Sequence, residues 1–180
     1  MPDAAALVER LVEQKAVLFG RFKLTSGAES PYYVDIKRAT THPDTLRLIA
    51  DLIAPHAKGF DLVGGMALGA VPLAVAVSLS ARIPFVMVRK EAREHGTGKQ
   101  IEGPDVKGKR VLVVEDVATS GTSTLLAVKA LRAAGATVTE AWVVVDRESG
   151  AGPALAQDGV RLHALVTASH LLARTGPSSR

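Results

Sequence analysis

Val111-Leu112-Val113-Val114-Glu115-Asp116-Val117-Ala118-Thr119-Ser120-Gly121-Thr122-Ser123 decides how this chain folds. Its first four residues are apolar and mostly β-branched, the composition of a strand buried on both faces. The strand delivers two adjacent carboxylates, Glu115 and Asp116, towards its C-terminal end. A turn of small and hydroxylated residues follows, and then a helical pattern begins. Backbone N–H groups in such a turn converge on one concavity and, with the helix N-terminus, form a phosphate cradle. Thr119, Ser120, Thr122 and Ser123 add hydroxyl donors, Gly121 admits close backbone approach, and the carboxylates can accept hydrogen bonds from sugar hydroxyls. The same letters also suit a capped turn beside an acidic metal-binding pair, as in nucleotide hydrolases. That alternative expects a G-x-x-x-x-G-K-[ST] loop, and the chain has none. Nor do Gly64, Gly65 and Gly69 fit the G-x-G-x-x-G of a dinucleotide fold. A ribose-phosphate ligand is the expectation.

On either side of this stretch the pattern is regular. Short apolar runs at 61–64, 84–88, 110–115, 138–145 and 160–166 read as strands, with helical stretches at 70–81 and 123–134 and a shorter one at 151–157. Strands alternating with helices predict right-handed crossovers and a parallel sheet covered on both faces. Such sheets hold ligands beyond the carboxyl ends of their strands. Upstream, Leu7, Val8, Leu11, Val12 and Leu18 predict an amphipathic helix over 4–19, with Asp3 as N-cap and Gly20 as stop. A second helix is predicted from Pro43 to near Pro55. Between them, Arg21 to Arg38 reads as short strands outside the main pattern, and Thr175 to Arg180 as a loose tail.

Composition narrows the classes. The 180 residues are 47% hydrophobic and 22% charged, the mixture of a globular protein with a sizeable core. Zero cysteines exclude disulfides, a thiol nucleophile and thiolate metal sites, and favour a reducing, cytoplasmic setting. Met1-Pro2-Asp3 leads into no basic-then-apolar segment, so no signal peptide is expected. Leu62 to Ala81 runs for 20 residues without a charge, which is spanning length. Its glycines, Pro72 and lack of aromatic anchors favour a strand, a glycine-rich turn and a buried helix. The net charge of +4 is concentrated between Arg82 and Arg110, which points to an anionic ligand held in one place. With 4% aromatics there is no base-stacking platform for nucleic acid. His42, His56, His163 and His170 lack ligand spacing.

The strand, acid pair and hydroxyl-rich loop of 111–123 resemble the 5-phosphoribosyl diphosphate (PRPP) signature of the type I phosphoribosyltransferases. The resemblance implies their α/β fold: a central parallel sheet flanked by helices, with a small N-terminal hood. It implies one domain over 1–180, with the hood at about 1–40 plus the C-terminal segment and the core at about 41–165. PRPP contacts would come from Glu115, Asp116, Val117, Ala118, Thr119, Ser120, Gly121, Thr122 and Ser123. Glu115 and Asp116 would hold the ribose hydroxyls as catalytic residues.

Three further segments narrow the resemblance to orotate phosphoribosyltransferases. Val88-Arg89-Lys90-Glu91-Ala92-Arg93-Glu94-His95-Gly96-Thr97-Gly98-Lys99 carries four fixed positive charges after a strand. Read alone it is a solvated hairpin tip, but it is similar to that family's catalytic loop, which closes over the site and reaches the neighbouring subunit. Carried over, Arg89, Lys90, Arg93 and His95 contact the diphosphate, with Arg93 and His95 catalytic. The family commonly has lysine at position 93, and arginine keeps the charge without the compact ammonium. Phe22 to Asp35 reads as a hairpin with partly buried tyrosines and is similar to the hood over the base. Thr25 stands where many members carry a ligand-binding lysine, with Lys23 on the same strand face. Gly64 to Ala70 looks like the diphosphate loop. Val143-Val144-Val145-Asp146-Arg147 puts an arginine at another strand end; the residues alone allow a surface arginine paired with Asp146 or Glu148. The resemblance instead makes Arg147, with Thr119, the partner of orotate.

The resemblance therefore implies phosphoribosyl transfer from PRPP to orotate in pyrimidine synthesis. Mg²⁺ would be carried mainly by the PRPP diphosphate rather than a protein cage, and a homodimer would share its active sites; no nucleic acid or membrane partner is expected. Two alternatives share the same signature. A transferase for purine bases would differ in base selectivity. A non-catalytic regulator that binds nucleic acid would show an added domain or a basic surface outside the site, and the chain shows neither.

Overall fold

A computed structural model of the chain describes residues 3–23, 29–91 and 99–175. Helix α1 (Ala4–Glu13) is capped by Asp3, whose carboxylate accepts from the Ala5 N–H at 3.1 Å. It ends six residues earlier than its apolar spacing predicts. Lys15 takes a left-handed conformation (φ 51°) and Ala16 and Val17 then turn into strand β1 (Val17–Lys23), so Leu18 belongs to a strand and Gly20 is not a helix stop. Strand β2 (Glu29–Val34) pairs with β1 antiparallel, with an irregularity between Phe19 and Phe22. This hairpin is a separate two-stranded sheet. A short helix α2 (Lys37–Thr40) leads to α3 (Pro43–Ile53), where Pro43 occupies the first turn, a position that spends no hydrogen bond.

The main sheet holds β3 (Leu62–Met66), β4 (Phe85–Val88), β5 (Ile101–Glu102), β6 (Val111–Ala118), β7 (Glu140–Asp146) and β8 (Arg161–Thr167), in the order β5-β4-β3-β6-β7-β8. Five strands run parallel, as the alternating pattern predicts. The two-residue edge strand β5 is antiparallel to β4, because it returns from a local excursion and not through a helical crossover. The uncharged stretch 62–81 is β3, a turn and α4 (Val71–Ala81). Among the described residues no helix is long and apolar enough to cross a membrane.

Strand alternation splits the core in two. On one face Val63, Leu112, Val114 and Val144 meet Leu7, Leu11, Ile49, Ile53, Leu73 and Val77 from α1, α3 and α4. On the other, Val86, Val111, Val113 and Val143 meet Val128 and Leu131 of α5 (Thr122–Ala133) and Leu155 of α6 (Ala151–Gln157). The crossover β3–α4–β4 therefore covers one face and β6–α5–β7 the other. Chain order diverges between the neighbours β3 and β6, which opens a crevice beyond their carboxyl ends. The last helix, α7 (Ala168–Thr175), lies against α1 and β1, so the C-terminal segment joins the hairpin end of the molecule.

Candidate active site

A cavity of about 360 Å³ occupies that crevice. Its floor is Met66 and Ala67 from the end of β3, and its wall is the continuous run Val117 to Thr124, with Leu126 and Lys90. Gly121 lies at φ 79° ahead of the first turn of α5, a left-handed conformation that a side chain would strain, and Ser120 and Thr122 share a hydroxyl–hydroxyl hydrogen bond of 2.9 Å. The exposed backbone N–H groups of the α5 N-terminus and these hydroxyls face one concavity. The geometry suits a phosphate.

A second cavity of about 310 Å³ is lined by Lys23, Tyr33, Val34, Ile36, Lys37, Asp116, Val117, Thr119 and Arg147. Val117 and Thr119 belong to both cavities, so the two adjoin along the end of β6. Asp116 borders the second one. Its carboxylate meets the Lys37 ammonium at 3.5 Å and accepts from the Val117 N–H at 2.7 Å. Gly69 makes room for it: a Cβ there would lie 2.7 Å from Asp116 Oδ2.

The acid pair divides between faces. Asp116 opens to a cavity, whereas Glu115 is buried at 4% exposure and lines neither. Its Oε1 accepts from the Asp116 N–H at 3.1 Å, and its Oε2 is buried without a hydrogen-bond partner. Burial first, and the neighbouring Asp116 charge second, push it up from 4.5 to about 8. The strand pleat turns the two carboxylates to opposite faces of the sheet.

Arg147 is no surface residue. It is 7% exposed, its guanidinium lies 4.8 Å above the Tyr32 ring, and its Nη2 donates to Ser30 Oγ at 3.1 Å. Its Nε is buried without a hydrogen-bond partner. Among the described residues no carboxylate pairs with it. The backbone fixes its place: Ala118 is in register with Asp146, and the Arg147 N–H donates to the Ala118 carbonyl at 2.8 Å. Glu148 beside it accepts from the Ser169 N–H at 2.8 Å and from its hydroxyl, tying the turn to α7. These bonds hold the exposed Glu148 carboxyl below its usual range.

Of the basic segment, Lys90 reaches the first cavity. Arg89 instead donates from Nε to Glu102 at 3.1 Å, and its N–H to the Gln100 carbonyl at 2.8 Å closes the base of the segment. Arg93 and His95, and Thr25 in the hairpin, lie outside the described residues. His56 and His163 stack on the two faces of Trp142, at 4.1 and 4.7 Å between ring centroids, away from either cavity. Sequence reasoning missed Lys37, Ser30 and Tyr32. The resemblance places that hairpin over the base and Arg147 on the same base, but it singles out none of these three residues.

A model of the phosphoribosyl transferase domain matches residues 36–162. The chain is 49% identical to the orotate phosphoribosyltransferase of Pyrococcus furiosus, over 96% of this chain and 97% of the relative. It is 54% identical to that of Methanoculleus marisnigri, over 90% and 94%. Among solved structures, Mycobacterium tuberculosis orotate phosphoribosyltransferase in complex with 5-phospho-α-D-ribosyl 1-diphosphate superposes with a TM-score of 0.78. The two are 37% identical over 94% of this chain and 99% of that one.

Proposed function

The chain belongs to the phosphoribosyltransferase family, and we propose that it transfers the phosphoribosyl group of PRPP to orotate, giving orotidine 5′-monophosphate and diphosphate in pyrimidine synthesis. The observation that carries the choice of base is Arg147. A buried guanidinium without a counterion is costly, and an anionic ligand in the adjoining cavity relieves that cost. A planar guanidinium suits a carboxylate, which orotate has and purine bases lack. The high coverage of orotate-specific relatives supports the same reading.

In this reaction the bond from the ribose anomeric carbon to the diphosphate oxygen breaks as a bond to the orotate ring nitrogen forms. The chain's contribution is positional and electrostatic. The turn 117–123 anchors the 5′-phosphate, Asp116 holds ribose hydroxyls, and Thr119 and Arg147 orient the base. Each charge-assisted contact contributes roughly 1.5–3 kcal/mol. Glu115 is the second acid of the pair, buried beside Asp116 and bordering neither cavity. Lys90 and the cations of the 89–95 segment, with Arg93 and His95 as its catalytic members, meet the diphosphate.

Among the described residues no three His, Asp or Glu side chains form a metal cluster. A Mg²⁺ carried by the PRPP diphosphate would supply positive charge against the leaving group, with Asp116 the carboxylate on the adjoining cavity lining. A homodimer is supported by two exposed apolar residues, Leu68 in the turn before α4 and Leu79 within it, at 82% and 76% exposure, and the resemblance implies that its sites are shared. Absence of cysteine accords with a cytoplasmic enzyme. The test is the ultraviolet absorbance of orotate mixed with PRPP, Mg²⁺ and the protein. Loss of signal that needs both PRPP and Mg²⁺ is expected. An unchanged signal from folded protein that binds PRPP would overturn the choice of base.

A further inference from the structure

Three contacts converge on one hydroxyl in the hairpin. Ser30 is 7% exposed. Its Oγ donates to the Tyr32 carbonyl at 2.7 Å, accepts from the Tyr32 N–H at 3.3 Å and accepts from Arg147 Nη2 at 3.1 Å across 117 residues of sequence. A serine hydroxyl has a single proton. Here that proton is committed to the Tyr32 carbonyl, so the oxygen offers only lone pairs to the guanidinium. The acceptor is therefore fixed in direction by the β2 backbone. The same local turn carries the Tyr32 ring beneath the guanidinium at 4.8 Å, a cation–π contact. One edge of Arg147 is held by Ser30 and one face by Tyr32, while its Nε remains buried and unpartnered in a residue that lines the second cavity.

We propose that Ser30 is a positioning residue for base selectivity: through Arg147 it aims a guanidinium at the carboxylate of the base. The proposal rests on the reading of the second cavity as the orotate site. A freely rotating arginine would lose side-chain entropy each time it gripped a ligand; one already held in place avoids that loss. Ser30 touches no substrate itself. Its effect is confined to ligands that use the guanidinium, and this separates aiming from merely holding the hairpin down.

The experiment compares wild type, Ser30→Ala and Ser30→Thr. It measures KM for orotate, KM for PRPP, kcat, and competitive inhibition against orotate by uracil, which has the ring without the carboxylate. In Ser30→Ala the orotate KM should rise about tenfold, with the PRPP KM, kcat and uracil inhibition constant each within about twofold of wild type. Ser30→Thr keeps the hydroxyl and should restore most of the orotate KM. If the alanine variant does not fold, Ser30→Cys keeps the shape with a weaker acceptor and should show the same selective loss. An unchanged orotate KM, or equal weakening of orotate and uracil, would overturn the role of Ser30 while leaving the orotate reaction standing. A wild-type enzyme that does not consume orotate would overturn the reading of the cavity, and this inference with it.

Discussion

The phosphate end of the site is one continuous run, Val117 to Thr124, folded as strand end, turn and first helical turn. The base end takes Lys23, Tyr33 and Val34 from the hairpin, Ile36 and Lys37 from the segment after it, Asp116 and Val117 from β6, Thr119 just after it, and Arg147 just after β7. Most of the first end comes from that one run on the core sheet, with Met66, Ala67, Lys90 and Leu126 completing it, whereas the second exists only when the hairpin docks on the sheet. On the proposed reading, substrate anchoring is built mostly into the core and base choice into a contact between separately formed parts. Loop and hairpin docking carries lower local stability than a core strand, so the two ends should respond differently to substitution.

The largest effect is expected where the two ends meet. Asp116→Asn keeps the shape and removes the charge that faces the ribose, so kcat should fall by about 10²-fold with far-ultraviolet circular dichroism unchanged. Wild-type turnover from a soluble variant would take Asp116 out of the mechanism. Arg147→Ala tests the base end alone: the KM for orotate should rise roughly 10–100-fold, the worth of a hydrogen bond to a charged group, while the PRPP KM stays within about twofold. Equal damage to both constants would show that the two ends are not separable. Gly69→Ala is a milder challenge from a third direction. The new Cβ would stand 2.7 Å from Asp116 Oδ2, and displacing that carboxylate by a fraction of an ångström should lower kcat roughly tenfold, measured by the same orotate assay.

The same contrast explains what the letters disclosed. The parallel sheet, the crevice and the cradle of 117–123 were legible because each follows from periodicity or from contiguous residue types. The individual contacts of Ser30 and Lys37 were not: the resemblance brings the hairpin and Arg147 to one base, but residue types do not say which side chains meet across 117 positions. The early end of α1 was hidden for a different reason: Leu18 continues the helical spacing, but the left-handed turn at Lys15 redirects the chain into β1. The antiparallel edge strand β5 is two residues long, too short to produce a pattern of its own. The separation of the Glu115 and Asp116 side chains was legible, because adjacent residues on a strand face opposite ways.

Glu115 supplies the smallest expected effect on turnover and the sharpest test of that separation. Its carboxyl titrates at about 8 in the folded chain against 4.5 ordinarily, mainly through burial. Between those values the native state holds a proton that the unfolded chain has released, so this group's contribution to stability falls as pH rises from about 4.5 to 8 and levels off above. Glutamine mimics the neutral acid and does not titrate. Glu115→Gln should therefore keep kcat within a few-fold of wild type at pH 7, in contrast to Asp116→Asn. Its melting temperature should gain on wild type as the buffer is taken from pH 5 to pH 8, with each kcal/mol appearing as about 2–4 °C for a domain of this size. A constant difference across that range would mean that Glu115 is ionised throughout. A loss of turnover as large as that of Asp116→Asn would mean that both acids serve the sugar despite the pleat between them.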